Sequence, residues 1–260
     1  ALIAELAQID GAPIMYEDVV EMDLGDVLVL QAEVTGANFP EPVLDSPAPA
    51  ASQALDSTFA DVLDGWAPYW RIAYENQWER NSWEVGAYGV NAKLFPGGGN
   101  ALSGPTNNFD DWALDTQYQY IGDEHLVSVT ATYIDEKQTL DATYAAGASS
   151  NSSDNLKTFR IGANYFYQRK YGGALGYFET KGSADALLYP QGDPVVGFAN
   201  NKPDSNGWTG ELDWVPYENT KLALQYTEYN KFNGGGDNYD GNGRNAKDNN
   251  TLYLLFWFNY

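Results

Sequence analysis

The sequence predicts an all-β chain folded as a transmembrane, antiparallel up-and-down β-barrel of about 10–12 strands, and three observations lead there. Segments about ten residues long alternate apolar and polar side chains. The links between them are by turns long and short. Aromatic residues are in excess, because Tyr 19, Phe 11 and Trp 8 make up 15% of the 260 residues while only 43% are hydrophobic. A water-soluble core of this size would struggle to bury so many rings, whereas the two interfacial girdles of a membrane barrel use them.

The alternation is clearest at the end of the chain. In "TLYLLFWFNY" the residues Leu252, Leu254, Phe256, Phe258 and Tyr260 share one face, opposite Thr251, Tyr253, Leu255, Trp257 and Asn259. "WTGELDW" sets Trp208, Gly210, Leu212 and Trp214 against Thr209, Glu211 and Asp213. "FRIGANYFYQ", "DWALDTQYQY" and "PYWRIAYENQW" repeat the pattern, with Ile161, Leu114 and Ile72 among the apolar positions. Charges confined to the second face fit the period of a strand. Ten strands follow, near 25–36, 67–79, 82–95, 109–121, 124–138, 155–169, 171–184, 207–216, 220–232 and 250–260. The segment 1–24 reads as two further strands around "DGAP", or as a helix or plug, within a single barrel domain over 1–260. "SWEVGAYGVNAKLF" and "YGGALGYFET" leave open which side looks outward.

The links sort by length. Short ones are "ERNS", "IGDE", "RKYG" and "PYENT"; long ones rich in Gly, Asn and Pro lie around 37–65, 96–108, 139–154, 185–206 and 233–249. Short periplasmic turns and long extracellular loops are the habit of outer-membrane barrels. A soluble β-sandwich also alternates along its strands, but it predicts no such sorting. The expected location is the bacterial outer membrane, with membrane lipid as partner. Ala1 reads as a processed or truncated start, and Tyr260 as a terminal aromatic at the periplasmic interface.

Composition removes several functions. With no Cys there is no disulfide, zinc ribbon, Cys nucleophile or covalent haem attachment in these residues, and His125 alone builds no multi-histidine metal site. A net charge of -22, from 36 acids against 14 bases, argues against nucleic acid. No enzyme constellation assembles around His125, which reads as a residue of the turn beside Asp123 and Glu124.

"GWAPYWRIAYENQWERNSWEVGAYGV" (65–90), "GELDWVPYENTKLALQYTEYNKFNG" (210–234) and "NYDGNGRNAKDNNTLYLLFWFNY" (238–260) resemble the C-terminal part of bacterial outer-membrane porin-like β-barrel proteins associated with c-type cytochromes. The resemblance implies a barrel with a role near electron transfer across the envelope, and a c-type cytochrome as partner. Members carry an N-terminal CxxCH haem segment that is missing here, so no cofactor is expected in this chain, and haem only on a partner or a missing segment. A homo-oligomer is a further expectation.

Candidate functional residues follow from the register. Arg71, Glu75, Asp115, Arg160, Glu211 and Asp213 fall on the polar face, expected to line the pore, as do Glu84, Lys157 and Lys221. In a pore such groups tune ion selectivity; in a narrow barrel they fill the interior with ion pairs. "NGGGDNYDGNGRNAKDNN" offers Asp237 and Asp240 as a loose divalent-metal site, although an EF-type loop would carry Glu where Asn249 stands. The expected functions are a porin-like channel or the barrel scaffold of a cytochrome-linked electron-transfer system, or alternatively a non-conducting structural or adhesive barrel displaying acidic loops.

Overall fold

A computed structural model describes residues 61–96, 103–193 and 196–258, with the backbone of 8–9 and 12–13. By internal packing the chain divides into two compact units, 1–55 with 216–221 and 256–260, and 56–215 with 222–255. In the first, β1 (Gln8–Ile9) pairs antiparallel with β2 (Ala12–Pro13) around Asp10 and Gly11. The rest of 1–24 and the strand expected at 25–36 lie outside the described residues.

The remaining strands are β3 (Val62–Leu63), β4 (Tyr69–Trp78), β5 (Asn81–Phe95), β6 (Asn107–Ile121), β7 (His125–Thr139), β8 (Ser153–Tyr167), β9 (Tyr171–Gly182), β10 (Ser205–Tyr217), β11 (Thr220–Lys231) and β12 (Thr251–Phe258). They form one ten-stranded antiparallel meander in the order β12-β11-β10-β9-β8-β7-β6-β5, with β3 and β4 both on the free edge of β5. From β4 to β12 sequence neighbours are sheet neighbours, and two- and three-residue links at Glu79–Arg80, Gly122–Glu124, Gln168–Lys170 and Glu218–Asn219 join every second pair. Glu79, Gln168 and Arg169 take positive φ values of 54°, 51° and 54°, the left-handed backbone that tight hairpin links demand. The strand path has two ends, and no pairing joins β12 to β3 or β4 among the described residues.

Nine of the expected strands lie on described residues and start and end within two residues of the expected positions. One element departs from expectation. Val62 and Leu63 fall in the link expected over 37–65, yet they pair with Phe95 and Leu94. Asp64 to Pro68 then bulge outward, held by Asp64 N–H to Lys93 O (2.7 Å) and Asn91 N–H to Pro68 O (3.2 Å), before β4 resumes opposite Val90. Gly65 at φ 82° makes the bulge, and it leaves Trp66 93% exposed. Alternation does not reveal such a strand, because two residues are too few to show a period.

The long links carry structure of their own. α1 (Asp141–Ala145) lies between β7 and β8, and a short 3₁₀ turn (Ala246–Asn249) precedes β12. No helix among the described residues is long and apolar enough to cross a membrane, a statement that does not bear on crossing by strands.

Candidate functional site

Residues opposite one another in an antiparallel ladder point to the same side, so the register assigns every side chain from β4 to β10 to one of two faces. It also assigns the side chains of β5 and β9 to the same two faces as their neighbours. Ile72 faces Ala87, which faces Leu114, then Tyr133, Phe159 and Glu179 in turn. Arg71 faces Tyr88, then Ala113, Ile134 and Thr158. The first line belongs to an apolar face and the second to a polar one.

Along the apolar face the five strands β6 to β10 repeat one order, read from the short-turn end. On β7 it is His125, Val127, Val129, Ala131, Tyr133, Asp135, Lys137; on β8 it is Tyr167, Tyr165, Ala163, Ile161, Phe159, Lys157, Asn155; on β9 it is Tyr171, Gly173, Leu175, Tyr177, Glu179, Lys181. β6 reads Tyr120, Tyr118, Thr116, Leu114, Trp112, Asp110, Asn108, and β10 reads Trp214, Leu212, Gly210, Trp208, Asn206. A ring, a small or aliphatic stretch, a second ring and then a charged or amide collar recur strand after strand. The aliphatic residues between the rings are not buried: Ile72 is 69% exposed, Leu212 70% and Leu175 58%. Neighbouring rings touch, with centroids 5.6 Å apart for Trp112 and Tyr133 and 5.0 Å for Tyr177 and Trp208. The polar groups on this face are satisfied within it: the Trp83 indole donates to Thr116 Oγ1 (2.9 Å), and Thr116 donates onward to the Glu84 carbonyl (2.7 Å).

The polar face is acidic. From β4 to β10 it carries Glu75, Glu84, Asp111, Asp115, Glu136, Asp154, Glu211 and Asp213 against Arg71 and Arg160. Arg71 reaches across β5 and splits its guanidinium between two strands, donating to Glu84 (2.6 Å) and Asp115 (2.7 Å). Its path runs over Gly86, where a Cβ would fall on the Asp115 carboxylate and 3.1 Å from the guanidinium. Glu75 accepts from Ser82 (2.9 Å) and Gln77, and Gln225 of β11 donates to Glu211 (2.8 Å). The six residues expected to line a pore, Arg71, Glu75, Asp115, Arg160, Glu211 and Asp213, all lie on this face. Lys157 does not: it pairs in register with Asp135, sits two residues beyond Phe159 on the apolar face, and bonds Asp135 at 3.2 Å.

Beyond the long-link end of the sheet, three links interlock. Asp185, 2% exposed, accepts four backbone N–H bonds, from Ser150 (2.7 Å) and Asn151 (2.8 Å) of one link and from Leu187 and Leu188 (both 2.9 Å) of its own. Burial pushes its carboxyl up and the four donors pull it down further, so it ends below the ordinary range. Ala199 N–H donates to Asn233 O (2.8 Å) and Gly234 N–H to Asp204 O (2.7 Å), tying link 183–204 to link 232–250. Asp240, 1% exposed, accepts from Arg244 Nε (2.6 Å) and from the N–H groups of Asn242 (2.9 Å) and Arg244 (3.1 Å). The Arg244 guanidinium beside it lowers its carboxyl to about 2.

These contacts change two expectations. The divalent site expected at Asp237 and Asp240 is not assembled: Asp240 is turned inward to hold Arg244 and its own loop, and no group of three or more metal-ligating side chains exists among the described residues. His125, expected in a turn, is the first residue of β7, and its Nδ1 lies 2.9 Å from the Tyr165 hydroxyl with its ring packed on Tyr165 and Tyr167. It belongs to the ring row at the short-turn end.

No family model, no curated protein and no solved structure matches this chain.

Proposed function

We propose that this sheet is the wall of an outer-membrane β-barrel whose polar face lines a porin-like passage for small polar solutes. The carrying observation is the order repeated along the apolar face. Between its two rings β7 runs eight residues, which at ~3.3 Å each is about 26 Å along the strand. A tilt of about 40° brings that to ~20 Å of height, and the rings at either end extend it toward the ~25 Å apolar band of outer-membrane barrels. Water rewards neither exposed aliphatic side chains such as Ile72, Leu114, Ile161, Leu175 and Leu212 between the rings nor rings at two fixed depths. Lipid rewards both, because acyl chains solvate the aliphatic stretch and amphipathic rings sit at the headgroup level. The sorted link lengths support an orientation with the long links outside the cell.

The excess of carboxylates on the polar face supports a passage that prefers cations. The interlocked links favour a second reading, a non-conducting anchor that displays a rigid outer surface. Single-channel recording in a planar bilayer under a KCl gradient separates the two: a passage gives steps with a cation-selective reversal potential, and silence in a bilayer that demonstrably holds the folded protein rejects it. The cytochrome link rests on the resemblance of 65–90, 210–234 and 238–260. Its test is a haem absorption band that co-purifies with the barrel on a separate chain.

A further inference from the structure

The collar beyond the long-link ring row is unusually rich in lysine. Lys93, Lys137, Lys157 and Lys181 all stand there, on the apolar face, and all four are exposed. The chain has nine lysines in total. Close to half of them therefore gather on one rim of one face of a strongly acidic protein, and the apolar faces of the same strands carry no lysine at their short-turn ends. Lys157 and Lys181 oppose each other directly, and carboxylates flank three of the four: Asp135 opposes Lys157 and Asp110 opposes Lys137, while Glu179 bonds Lys181 at 2.9 Å. Each ammonium has three donors, and a single carboxylate neighbour occupies one of them. The Lys157 and Lys181 side chains are 50% and 60% exposed even with those neighbours bound.

We propose that this collar docks the phosphate groups of a phosphorylated lipid headgroup in the leaflet at the long-link end, the lysines pairing with phosphate and the interleaved carboxylates sharing divalent cations with it. The inference rests on the membrane reading above. Charge complementarity selects the occupant. A zwitterionic headgroup offers each lysine one phosphate already paired with its own choline or amine, whereas a bis-phosphorylated one offers uncompensated anions at the spacing of neighbouring strands, ~5 Å and its multiples. Alternating cations and carboxylates also suit a leaflet whose phosphates are bridged by divalent metal, where a purely basic rim would compete with the metal and a purely acidic one would be repelled.

The test uses the full chain refolded into phosphatidylcholine vesicles doped with a bis-phosphorylated lipid A and Mg²⁺, and counts the lipids retained by native mass spectrometry after mild detergent extraction. The wild type is expected to retain lipid A in preference to phosphatidylcholine, to lose that preference when Mg²⁺ is chelated, and to weaken about fivefold for each lysine replaced in Lys137→Gln/Lys157→Gln/Lys181→Gln. Equal retention of both lipids by the wild type, or unchanged retention by the triple variant, overturns the proposal. Should the triple variant not insert, Lys181→Gln alone makes the same comparison with a fivefold expectation. A parallel measurement in pure brominated phosphatidylcholine separates this claim from the one beneath it. Unquenched tryptophan there rejects the membrane reading itself, while quenched tryptophan without a lipid A preference rejects the collar alone.

Discussion

Leu212 offers a decisive perturbation, because two solvents make opposite demands on it. It stands between the rings of Trp208 and Trp214 on β10, one apolar-face position from Trp214 and two from Trp208, and is 70% exposed. In water a change from an exposed leucine to arginine moves stability by within about 0.5 kcal/mol, since nothing packed is lost. At the middle of a bilayer the same change costs ~2–4 kcal/mol, a loss of about 30- to 1,000-fold in the folding equilibrium. Asn164→Arg is the matched control, exposed like Leu212 but on the polar face of β8, and the expected change is under about 0.5 kcal/mol. The assay is reversible urea unfolding in short-chain phosphatidylcholine vesicles, followed by tryptophan emission and extrapolated linearly. A Leu212→Arg penalty indistinguishable from that of Asn164→Arg would refute the assignment of faces to lipid and interior.

Two glycines of the same strand should diverge. A Cβ at Gly207 would land on the Glu228 carbonyl oxygen and 2.8 Å from the Phe178 ring, whereas one at Gly210 meets nothing within 4 Å. Gly207→Ala should cost about 1–3 kcal/mol and Gly210→Ala should be neutral or stabilising by up to ~1 kcal/mol, both read from the same unfolding curves. The interlocked links should open in acid. Asp240 is held at about 2 and Asp185 below its ordinary range, so the free carboxylates of the opened loops, near pH ~4, take up protons that the folded ones refuse. Their contribution is complete above pH ~4 and fades as pH falls toward 2. Amide exchange corrected for intrinsic pH dependence should show steady protection of Ser150, Asn151, Asn242 and Arg244 from pH 7 to 5 and its loss below 4; loss already between 7 and 5 would contradict the assignment.

Strand positions are legible in this sequence because they are written locally. Period-2 alternation and a link of two or three residues define a hairpin without knowledge of anything distant, and the assigned polar face of Arg71, Glu75, Asp115, Arg160, Glu211 and Asp213 follows by parity alone. Charge misleads where a strand leaves the band it started in, even though parity places the residue correctly. Lys157 looks like a lining residue because it is charged, yet its strand has already passed Phe159 and entered the collar. β3 escapes for a different reason, since a strand of two residues before the bulge at Asp64–Pro68 is too short to show any alternation. Contacts across strands are less legible still. That Arg71 bridges Glu84 and Asp115 over Gly86 depends on three strands in register, and that Asp185 ties residues 150–151 to 187–188 depends on two links meeting. Neither leaves a mark in sequence spacing. Asp240 carries the same lesson, because an acidic, Gly-rich loop written like a cation site is spent on its own arginine.

The order repeated along the apolar face makes the sheet modular. The hairpins β6–β7 around Gly122–Glu124 and β8–β9 around Gln168–Lys170 each hold their own copy of both rings, the aliphatic stretch and the collar, and their facing edges meet at the same heights. A hairpin can therefore be duplicated or deleted as a unit and the strands on either side still meet ring to ring. The width of the sheet is free to change by two strands at a time while the spacing between its ring rows stays fixed.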